Sequence, residues 1–600
     1  MSLQVRSAAP ASRPERPAAL RRVLDWMLSL RDAEGRILCP EHRVEHTGKS
    51  AGAIVLALEL ARRMEGAERD ELQEAALQQG RRLVANLQRE GTSPCFTFRP
   101  GRHDPFNCSN SVIDGGACSD ALASLARELE GRAPAEELAA FREASLRHAR
   151  TYLRYAVLDK GVPAQRAWGL TGLAAAWRLE QDSELEAAAD EAFELLRGVQ
   201  HADGSYPYHP REWGAGHPGA SDVSAFYQSR VTGFLLHALE ELGRDPRAAP
   251  HRDALLSSLA FLRALQGPDG VKVGLVEAKP WYWGATHEVA SHPFDVYALA
   301  RGWRHFGDES FGVAALRAWR AWEAHLADDG SPRSHLPGPG RGRSYQCPLF
   351  WAGHAMWMAR ALDDLDAIEE AGLAANGDEG CGGGSAYDLR VEHFEQADLA
   401  RLEDARVVAW VRGARPAANV AHGSPHGAGL LRVWDKRAGR DLLERCRFGG
   451  RQEAEWTGRS GLPAPGRGWR AGAAELRFSF WRSRVHWRAA RHAAALRAPL
   501  ATLRRGVLAF AHPRVSSAFH LAPRLAAFEG GVRLESALAW RDGRPVPGSR
   551  LLREFRVDGE GLAVHERCLA APGVRGLDYA PPAASRELRR EGLELSYRLG

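Results

Sequence analysis

The fold is decided by a turn, Asp203-Gly204, and by the stretch that follows it, Ala220-Ser-Asp-Val-Ser-Ala-Phe-Tyr-Gln-Ser-Arg-Val-Thr-Gly-Phe234. Apolar residues recur at helical spacing before the turn, over 183–199, and again over 222–243. Glycine takes the left-handed conformation that closes the last turn of a helix. The sequence here therefore predicts a helical hairpin, with an unusually polar start to its second helix.

The same unit recurs along residues 17–370. Apolar periodicity predicts twelve helices, at 17–31, 49–65, 69–90, 110–130, 134–157, 165–181, 183–199, 222–243, 249–266, 291–306, 308–327 and 349–370. The first helix of each pair ends close to a glycine, at Gly35, Gly91, Gly161, Gly204, Gly270 and Gly330. These glycines are 56, 70, 43, 66 and 60 residues apart, as in a divergent repeat. Six hairpins that curve shut form an (α/α)6 toroid with the second helices inside; an open helical array is the alternative.

The pattern changes after residue 370. Glycine-rich residues 377–385 indicate a linker, and apolar and polar residues then alternate with period two, as in 474–481 and 531–540. A hairpin over 554–566 is predicted to turn at Asp558-Gly559. We therefore expect an α+β multidomain protein. Its predicted parts are a disordered N-terminus (1–16), the toroid (17–370), the linker (371–386) and an antiparallel β-sandwich (387–600).

Composition excludes several classes of protein. The 600 residues are 44% hydrophobic and 26% charged, and 80 basic residues nearly balance 75 acidic ones without a block of like charge, which argues against nucleic acid as a partner. Only five residues are lysine. The eight cysteines form neither a C-x-x-C pair nor a zinc-ligand spacing, so no metal or other cofactor is predicted for the site. With no signal-peptide or membrane-spanning stretch, a cytoplasmic location is expected.

Polar groups gather at the starts of the predicted inner helices. All six starts carry them, most with an aromatic residue, at 45–50, 107–114, 163–168, 221–230, 288–297 and 345–354. Each alone has a simpler explanation: Ser221 and Ser291 suit helix caps, and His292 or His354 suits a core position. Six such starts around one axis instead predict a concave site.

Three segments resemble the heparinase II/III-like proteins: the Asp203-Gly-Ser205 turn before the Tyr227 helix, 517–523 (Ser-Ala-Phe-His-Leu-Ala-Pro), and 553–564 of the final hairpin. The order of toroid and β-sandwich is also that of several polysaccharide lyase families. The resemblance implies a carbon-oxygen lyase acting on an acidic polysaccharide or oligosaccharide. That family commonly has a His-x-His-x-Asp type loop early in its β-domain; here the counterpart, His422-Gly-Ser-Pro-His426, has no following aspartate, and a divalent metal in the β-domain stays open.

Elimination next to a uronic acid needs three acts: neutralising the carboxylate, removing the C5 proton and protonating the leaving oxygen. By its position in the toroid, Tyr227 resembles the catalytic tyrosine of these lyases. Tyrosine needs a nearby cation to act as a base, and Arg230 lies three residues further along the helix.

We predict the following roles. Tyr227 is the base, Asn110 with Gln228 or Asn107 neutralises the carboxylate, His292 or His217 assists, and Arg230 holds the acidic sugar. The remaining predicted substrate-binding residues are Asp222, Trp281, Trp283, Asp295, Tyr297 and His354.

Two alternatives remain from the sequence. Asp114, Asp222 and Asp295 stand near inner-helix starts and suit a glycoside hydrolase with paired aspartates. A non-catalytic glycan-binding or assembly protein, in an exopolysaccharide or capsule pathway, fits the missing export signal and the altered loop at His422 and His426.

Overall fold

The computed structural model describes residues 15–40, 45, 47–85, 87, 109–208, 223–273, 275, 291–332, 348–375, 389–413, 427–444, 453–461, 514–540 and 543–600. Helices occupy the first part, to Glu370, and strands the second, from Arg390. The glycine-rich linker and the strand predicted at 474–481 lie outside these ranges. No helix within them is long and apolar enough to cross a bilayer.

All twelve predicted helices are present, paired as six hairpins. The pairs are α1 (Glu15–Ser29) and α2 (Thr47–Ala61); α3 (Gly66–Ala85) and α4 (Ser109–Glu128); α5 (Ala135–His148), extended by a π-helical turn (Ala149–Leu153) and α6 (Arg154–Asp159), and α7 (Pro163–Glu180); α8 (Ser183–Val199) and α9 (Ala225–Glu241); α10 (His251–Ala264) and α11 (His292–Phe306); α12 (Glu309–Glu323) and α13 (Pro348–Arg360). The last predicted helix breaks at Ala361 and continues as α14 (Leu362–Glu370).

The second helices close into a ring. In the order α2, α4, α7, α9, α11, α13, each packs against the next, and α13 packs against α2. Glycines allow two of these contacts to be close, because a methyl group on Gly52 would collide with the backbone of Gly353, and one on Gly116 with the backbone of Trp168. The protein is therefore an (α/α)6 toroid, and the open array is excluded.

Four of the six predicted glycines lie in tight turns beyond the helix ends, and not at the helix C′ position. In the turn of Gly204, the Gly204 amide donates to His201 O (2.9 Å) and the His201 amide to Ser205 O (2.9 Å). Gly35, Gly270 and Gly330 lie in turns with the same pair of bonds, and all four have positive φ. Gly161 does not have positive φ, so its predicted left-handed role is wrong; Gly91 lies outside the described ranges.

Three of these turns join neighbouring hairpins. A methyl group on Gly204, Gly270 or Gly330 would collide with a backbone carbonyl of α10, α12 or α1 respectively, the outer helix of the next hairpin in the ring. Gly330 thus brings the last hairpin onto the first. Gly35 has the same positive φ, but no atom lies within 4 Å of where its side chain would begin.

Gly204→Ala is expected to destabilise the protein more than Gly35→Ala does. Both variants force alanine into the left-handed region, at about 1–2 kcal/mol. Only Gly204→Ala adds the collision with the Ser257 carbonyl on α10. Chemical denaturation of both variants measures the difference, and equal losses of free energy of unfolding would contradict this account of the hairpin contact.

In the described part of the β-domain, fifteen strands form three antiparallel sheets. The strands are β1 (Arg390–Phe394), β2 (Leu399–Glu403), β3 (Val407–Arg412), β4 (Gly429–Asp435), β5 (Arg440–Glu444), β6 (Glu455–Ser460), β7 (Arg514–Ser516), β8 (Arg524–Phe528), β9 (Gly531–Ser536), β10 (Ala539–Trp540), β11 (Arg550–Val557), β12 (Leu562–Ala570), β13 (Val574–Ala580), β14 (Arg586–Glu591) and β15 (Glu594–Leu599). Their orders are β1-β2-β3-β4-β5, β10-β7-β6-β13 and β14-β15-β12-β11-β9-β8. The predicted turn at Asp558-Gly559 joins β11 to β12, with Val557 opposite Leu562.

The first sheet is covered on both faces. One face, with Val408, Trp410 and Leu431, packs on toroid residues such as Phe261 and Leu265. Its other face joins the core shared with the other two sheets. The β-domain therefore lies directly against the segments that lead into α9 and α11.

Candidate active site

The inner helices all begin at the same end of the toroid, because each follows an outer helix of its own hairpin. We define the entrance by one polar or aromatic side chain from the first two turns of each inner helix: Lys49, Asp114, Trp168, Tyr227, His292 and His354. The predicted gathering of such groups around one axis is thus present among the described residues.

An aromatic floor closes the axis below the entrance. The rings of Trp168, Phe294 and His354, from α7, α11 and α13, form a triangle with centroid separations of 5.8 Å (Trp168–Phe294), 4.7 Å (Phe294–His354) and 5.7 Å (Trp168–His354). Phe234 and Trp357 pack against this triangle. Aromatic rings from four inner helices therefore pack together at the axis of the toroid.

Two cations rest on this floor from opposite sides of the ring. Lys49 Nζ on α2 lies 3.0 Å from His354 Nε2 and 5.0 Å from the centre of the Trp168 ring. The Arg230 guanidinium carbon on α9 lies 4.4 Å from the centre of the Phe294 ring, and its Nη1 donates to Phe226 O at 2.5 Å. Aromatic faces stabilise cations. Two cationic side chains thus contact the floor, and Asp114 on α4 is the carboxylate among the entrance residues.

Tyr227 lies at the start of α9 and is half-buried. Its ring stacks on Tyr208, with centroids 5.1 Å apart and planes 28° from parallel. The Arg230 guanidinium carbon is 5.9 Å from the centre of the Tyr227 ring, so the predicted neighbouring cation is present, although over the ring. Arg230, His292 and His354 are at most 1% exposed, which leaves Tyr227 as the more accessible polar group.

Two other tyrosines near the inner helices have surroundings that oppose ionisation. Burial raises the pKa of the Tyr206 hydroxyl well above its ordinary value. Burial and the Glu240 carboxylate raise the pKa of the Tyr297 hydroxyl in the same direction. Neither is suited to act as a base near neutral pH.

Gln228 does not face the entrance. Its Oε1 accepts from the Tyr206 amide (3.0 Å), and its Nε2 donates to Gly204 O (3.0 Å) and Ser258 Oγ (2.9 Å). The side chain is fully buried. This amide fastens the Asp203-Gly204 turn to α9, and the predicted bond to a substrate carboxylate would require these bonds to break.

Asp295 also has a structural partner. Its Oδ1 lies 2.8 Å from Lys272 Nζ, and both side chains are 1% exposed. A carboxylate held in a buried ion pair is poorly placed to exchange a proton with a sugar. The predicted contact of Asp295 with substrate is therefore not supported by its geometry.

Tyr297 belongs to a network at the other end of the inner helices, which we call the closed-end network. Arg360 binds both oxygens of Asp120, at 2.7 and 2.9 Å, and His237 Nε2 lies 3.3 Å from Asp120 Oδ1. The Tyr297 hydroxyl lies 3.4 Å from His237 Nδ1 and donates to Glu240 at 3.3 Å. The structure therefore does not bring Tyr297 to the entrance.

Several predicted site residues lie outside the described ranges: Asn107, His217, Asp222, Trp281, Trp283, His422 and His426. Asn110 lies in the first turn of α4. Among the described residues no three His, Cys, Asp or Glu side chains are grouped closely enough to hold a metal ion.

The prediction of site residues missed Lys49 and Lys272. Both are buried at the entrance end, at 2% and 1% exposure. The signal was available, since only five residues of the chain are lysine and 80 are basic. Because arginine and lysine are not interchangeable, each of these few lysines is a position to consider as a candidate site residue.

No protein-family model matches this chain, and no curated protein matches it either. Among solved structures, it is similar to a glycosyl hydrolase family 88 protein from Bacteroides vulgatus (12% identity, 59% of this chain and 99% of that chain, TM-score 0.44). It is also similar to a polysaccharide lyase (13% identity, 60% of this chain and 98% of that chain, TM-score 0.42). A third similar structure is cellobiose 2-epimerase from Spirochaeta thermophila (13% identity, 60% of this chain and 98% of that chain, TM-score 0.42).

Proposed function

We propose that this protein is a carbon-oxygen lyase that cleaves a uronic-acid-containing polysaccharide by β-elimination, as in an exopolysaccharide or capsule pathway, with Tyr227 as the base. The observation that carries the proposal is the half-buried Tyr227 side chain at the start of α9, with the Arg230 guanidinium carbon 5.9 Å from the centre of its ring. A second cation, Lys49, lies on α2 on the opposite side of the ring of inner helices. A base and a positive charge near the carboxylate serve two of the three acts that this elimination requires, and the third is protonation of the leaving oxygen.

In the proposed step, the Tyr227 phenolate oxygen takes the C5 proton of the uronate. The electron pair of the broken C5–H bond forms a double bond between C4 and C5, and the C4–O bond breaks. The leaving oxygen receives a proton from Tyr227 or from His292, which lies at the start of α11. Lys49 and Arg230 stabilise the negative charge that builds on the carboxylate.

Hydrolysis by paired aspartates has weaker support. A glycosidase needs two carboxyl groups that face the substrate. Of the three candidate aspartates, Asp295 is paired with Lys272, and Asp222 lies outside the described ranges. The described residues therefore do not show two carboxyl groups that face a common substrate.

The proposal is tested by incubating the protein with a panel of uronate polymers, including pectate, alginate and chondroitin. Elimination creates a double bond next to the carboxylate, so the ultraviolet absorbance of the solution should rise with time. New reducing ends without that absorbance would replace the proposal with hydrolysis. Retention on an immobilised polymer with neither product would replace it with glycan binding alone.

A further inference from the structure

Lys272 joins the two helices that carry the proposed catalytic groups. Its Nζ donates to Ala225 O (2.8 Å) in the first turn of α9, and to Ser291 Oγ (2.7 Å) and Asp295 Oδ1 (2.8 Å) at the start of α11. An ammonium group has three protons, and these short contacts use all three directions. One buried charge thus fixes the start of α9 relative to the start of α11.

Both proposed catalytic groups lie close to these contacts along the chain. Tyr227 is two residues beyond Ala225, and His292 directly follows Ser291. Ser229 Oγ, one turn into α9, is a further neighbour of Lys272 Nζ at 3.4 Å. A shift of Lys272 would therefore change the distance between Tyr227 and His292.

The β-domain holds the turn from which Lys272 extends. Arg432 on β4 donates to Val271 O (3.0 Å) and to Asp269 Oδ2 (2.6 Å). Its third nitrogen, Nε, donates to Asp441 Oδ1 (2.6 Å) on β5, which anchors the guanidinium within the sheet. Residues 269 and 271 are thus bound by the first sheet, immediately before Lys272.

The same sheet binds the chain on both sides of this turn. Trp410 Nε1 on β3 donates to Ala264 O (2.8 Å), at the end of α10, and Arg412 donates to Leu275 O. Arg432 is 1% exposed, and Trp410 is fully buried. Three side chains of two adjacent strands therefore fix the path of the segment 264–275.

We infer that Lys272 is a positioning residue, and that the first sheet of the β-domain supports it through Arg432. On this view the β-domain is needed for the chemical step itself, in addition to any contact it makes with polymer. The inference rests on the proposed function, because it concerns the alignment of Tyr227 and His292.

Removing Lys272 or its support from Arg432 is expected to lower kcat with little change in KM. Misalignment of reacting groups by about 1 Å lowers rates about 100-fold. Lys272→Met alone leaves Asp295 as a buried unpaired charge, and it can fail to fold for that reason. The double variant Lys272→Met/Asp295→Asn removes both charges, and Arg432→Met removes the support from the sheet.

The matched control is Arg263→Met. Arg263 on α10 pairs with Glu392 on β1 at 2.5 Å, across the same boundary between toroid and β-domain. It does not belong to the 264–275 segment. We expect the double variant and Arg432→Met to lose about 10- to 100-fold in kcat, with KM within about twofold, and Arg263→Met to keep its kcat. An increase in KM at constant kcat, or an equal loss in all three, overturns the inference.

Hydrogen exchange separates failure of this inference from failure of the proposed function. Amides in the first turns of α9 and α11 should exchange faster in the double variant and in Arg432→Met than in Arg263→Met, whether or not any polymer is cleaved. If the wild-type protein eliminates no polymer but these amides respond, the proposed function fails and the positioning contact stands. If the amides do not respond, the positioning contact is wrong.

Discussion

Tyr227→Phe is expected to reduce kcat for elimination by about 10²- to 10⁴-fold, the usual contribution of a general acid or base. The variant removes only the hydroxyl, so the ring should keep its stacking on Tyr208. The melting temperature should therefore stay close to that of the wild type. Initial rates, measured by the ultraviolet absorbance of the product over a range of substrate concentrations, give kcat and KM separately.

Tyr208→Phe is the matched control for this prediction. It removes the hydroxyl from the other ring of the same stacked pair, outside the inner helix. We expect less than about a threefold effect on kcat, because the Tyr208 hydroxyl takes no part in the proposed proton transfers. Equal losses in both variants, or activity retained by Tyr227→Phe, would rule out Tyr227 as the base.

Arg360→Met is expected to destabilise the toroid by about 3–5 kcal/mol, the usual cost of removing one partner of a buried ion pair. Arg360 binds both oxygens of Asp120, whose side chain is fully buried. The variant leaves Asp120 as a buried charge without its main partner. Arg360→Met/Asp120→Asn removes both charges, so it should recover part of the lost free energy of unfolding.

An exposed ion pair supplies the comparison. Arg197 and Glu194 lie on α8 with side chains 46% and 56% exposed, and Arg197→Ala should cost less than about 1 kcal/mol. Equilibrium denaturation at neutral pH measures the free energy of unfolding of Arg360→Met, Arg360→Met/Asp120→Asn and Arg197→Ala. A loss for Arg360→Met as small as that for Arg197→Ala would contradict a stabilising role for the closed-end network.

The same network gives a pH dependence of known sign. Burial alone would raise the pKa of the Asp120 carboxyl, but the charge of Arg360 and bonds from His237 and Arg360 outweigh it and hold the pKa below its ordinary value. A lowered pKa in the folded state contributes stability above the unfolded value of about 4, and this contribution is lost as the pH falls further. The wild type should therefore lose more free energy of unfolding between pH 6 and about pH 3 than the double variant.

The sequence predicted the toroid because its signals are local. Helical periodicity and the turn glycines each need only a few neighbouring residues, and twelve helices were found within a few residues of the predicted ends. The arrangement of the first sheet was less predictable. β3, with the sequence Val-Val-Ala-Trp-Val-Arg, is buried throughout and lacks the period-two pattern of a strand with one exposed face.

Site residues were harder to predict, because their roles depend on partners far along the chain. In the sequence, Gln228 is a polar residue at a helix start. In the structure, its side-chain amide forms hydrogen bonds with residues 22 to 30 positions away. Likewise, the sequence alone does not show that the Asp295 carboxylate forms an ion pair with Lys272. In the first two turns of α9, local helix capping does not explain Tyr227 and Arg230.

The contact of the Gly330 turn with α1 has a consequence for how the chain folds. Arg16 on α1 also pairs with Asp366, 350 positions away on α14, so the ring closes between its first and last segments. During synthesis, the apolar face of α1, including Leu20, Val23 and Leu24, must wait for these late segments before it is covered. Closure is a long-range step of the kind that slows folding and exposes intermediates to aggregation. The first helix is therefore synthesised early, but its apolar face is fully covered only after the last hairpin has formed.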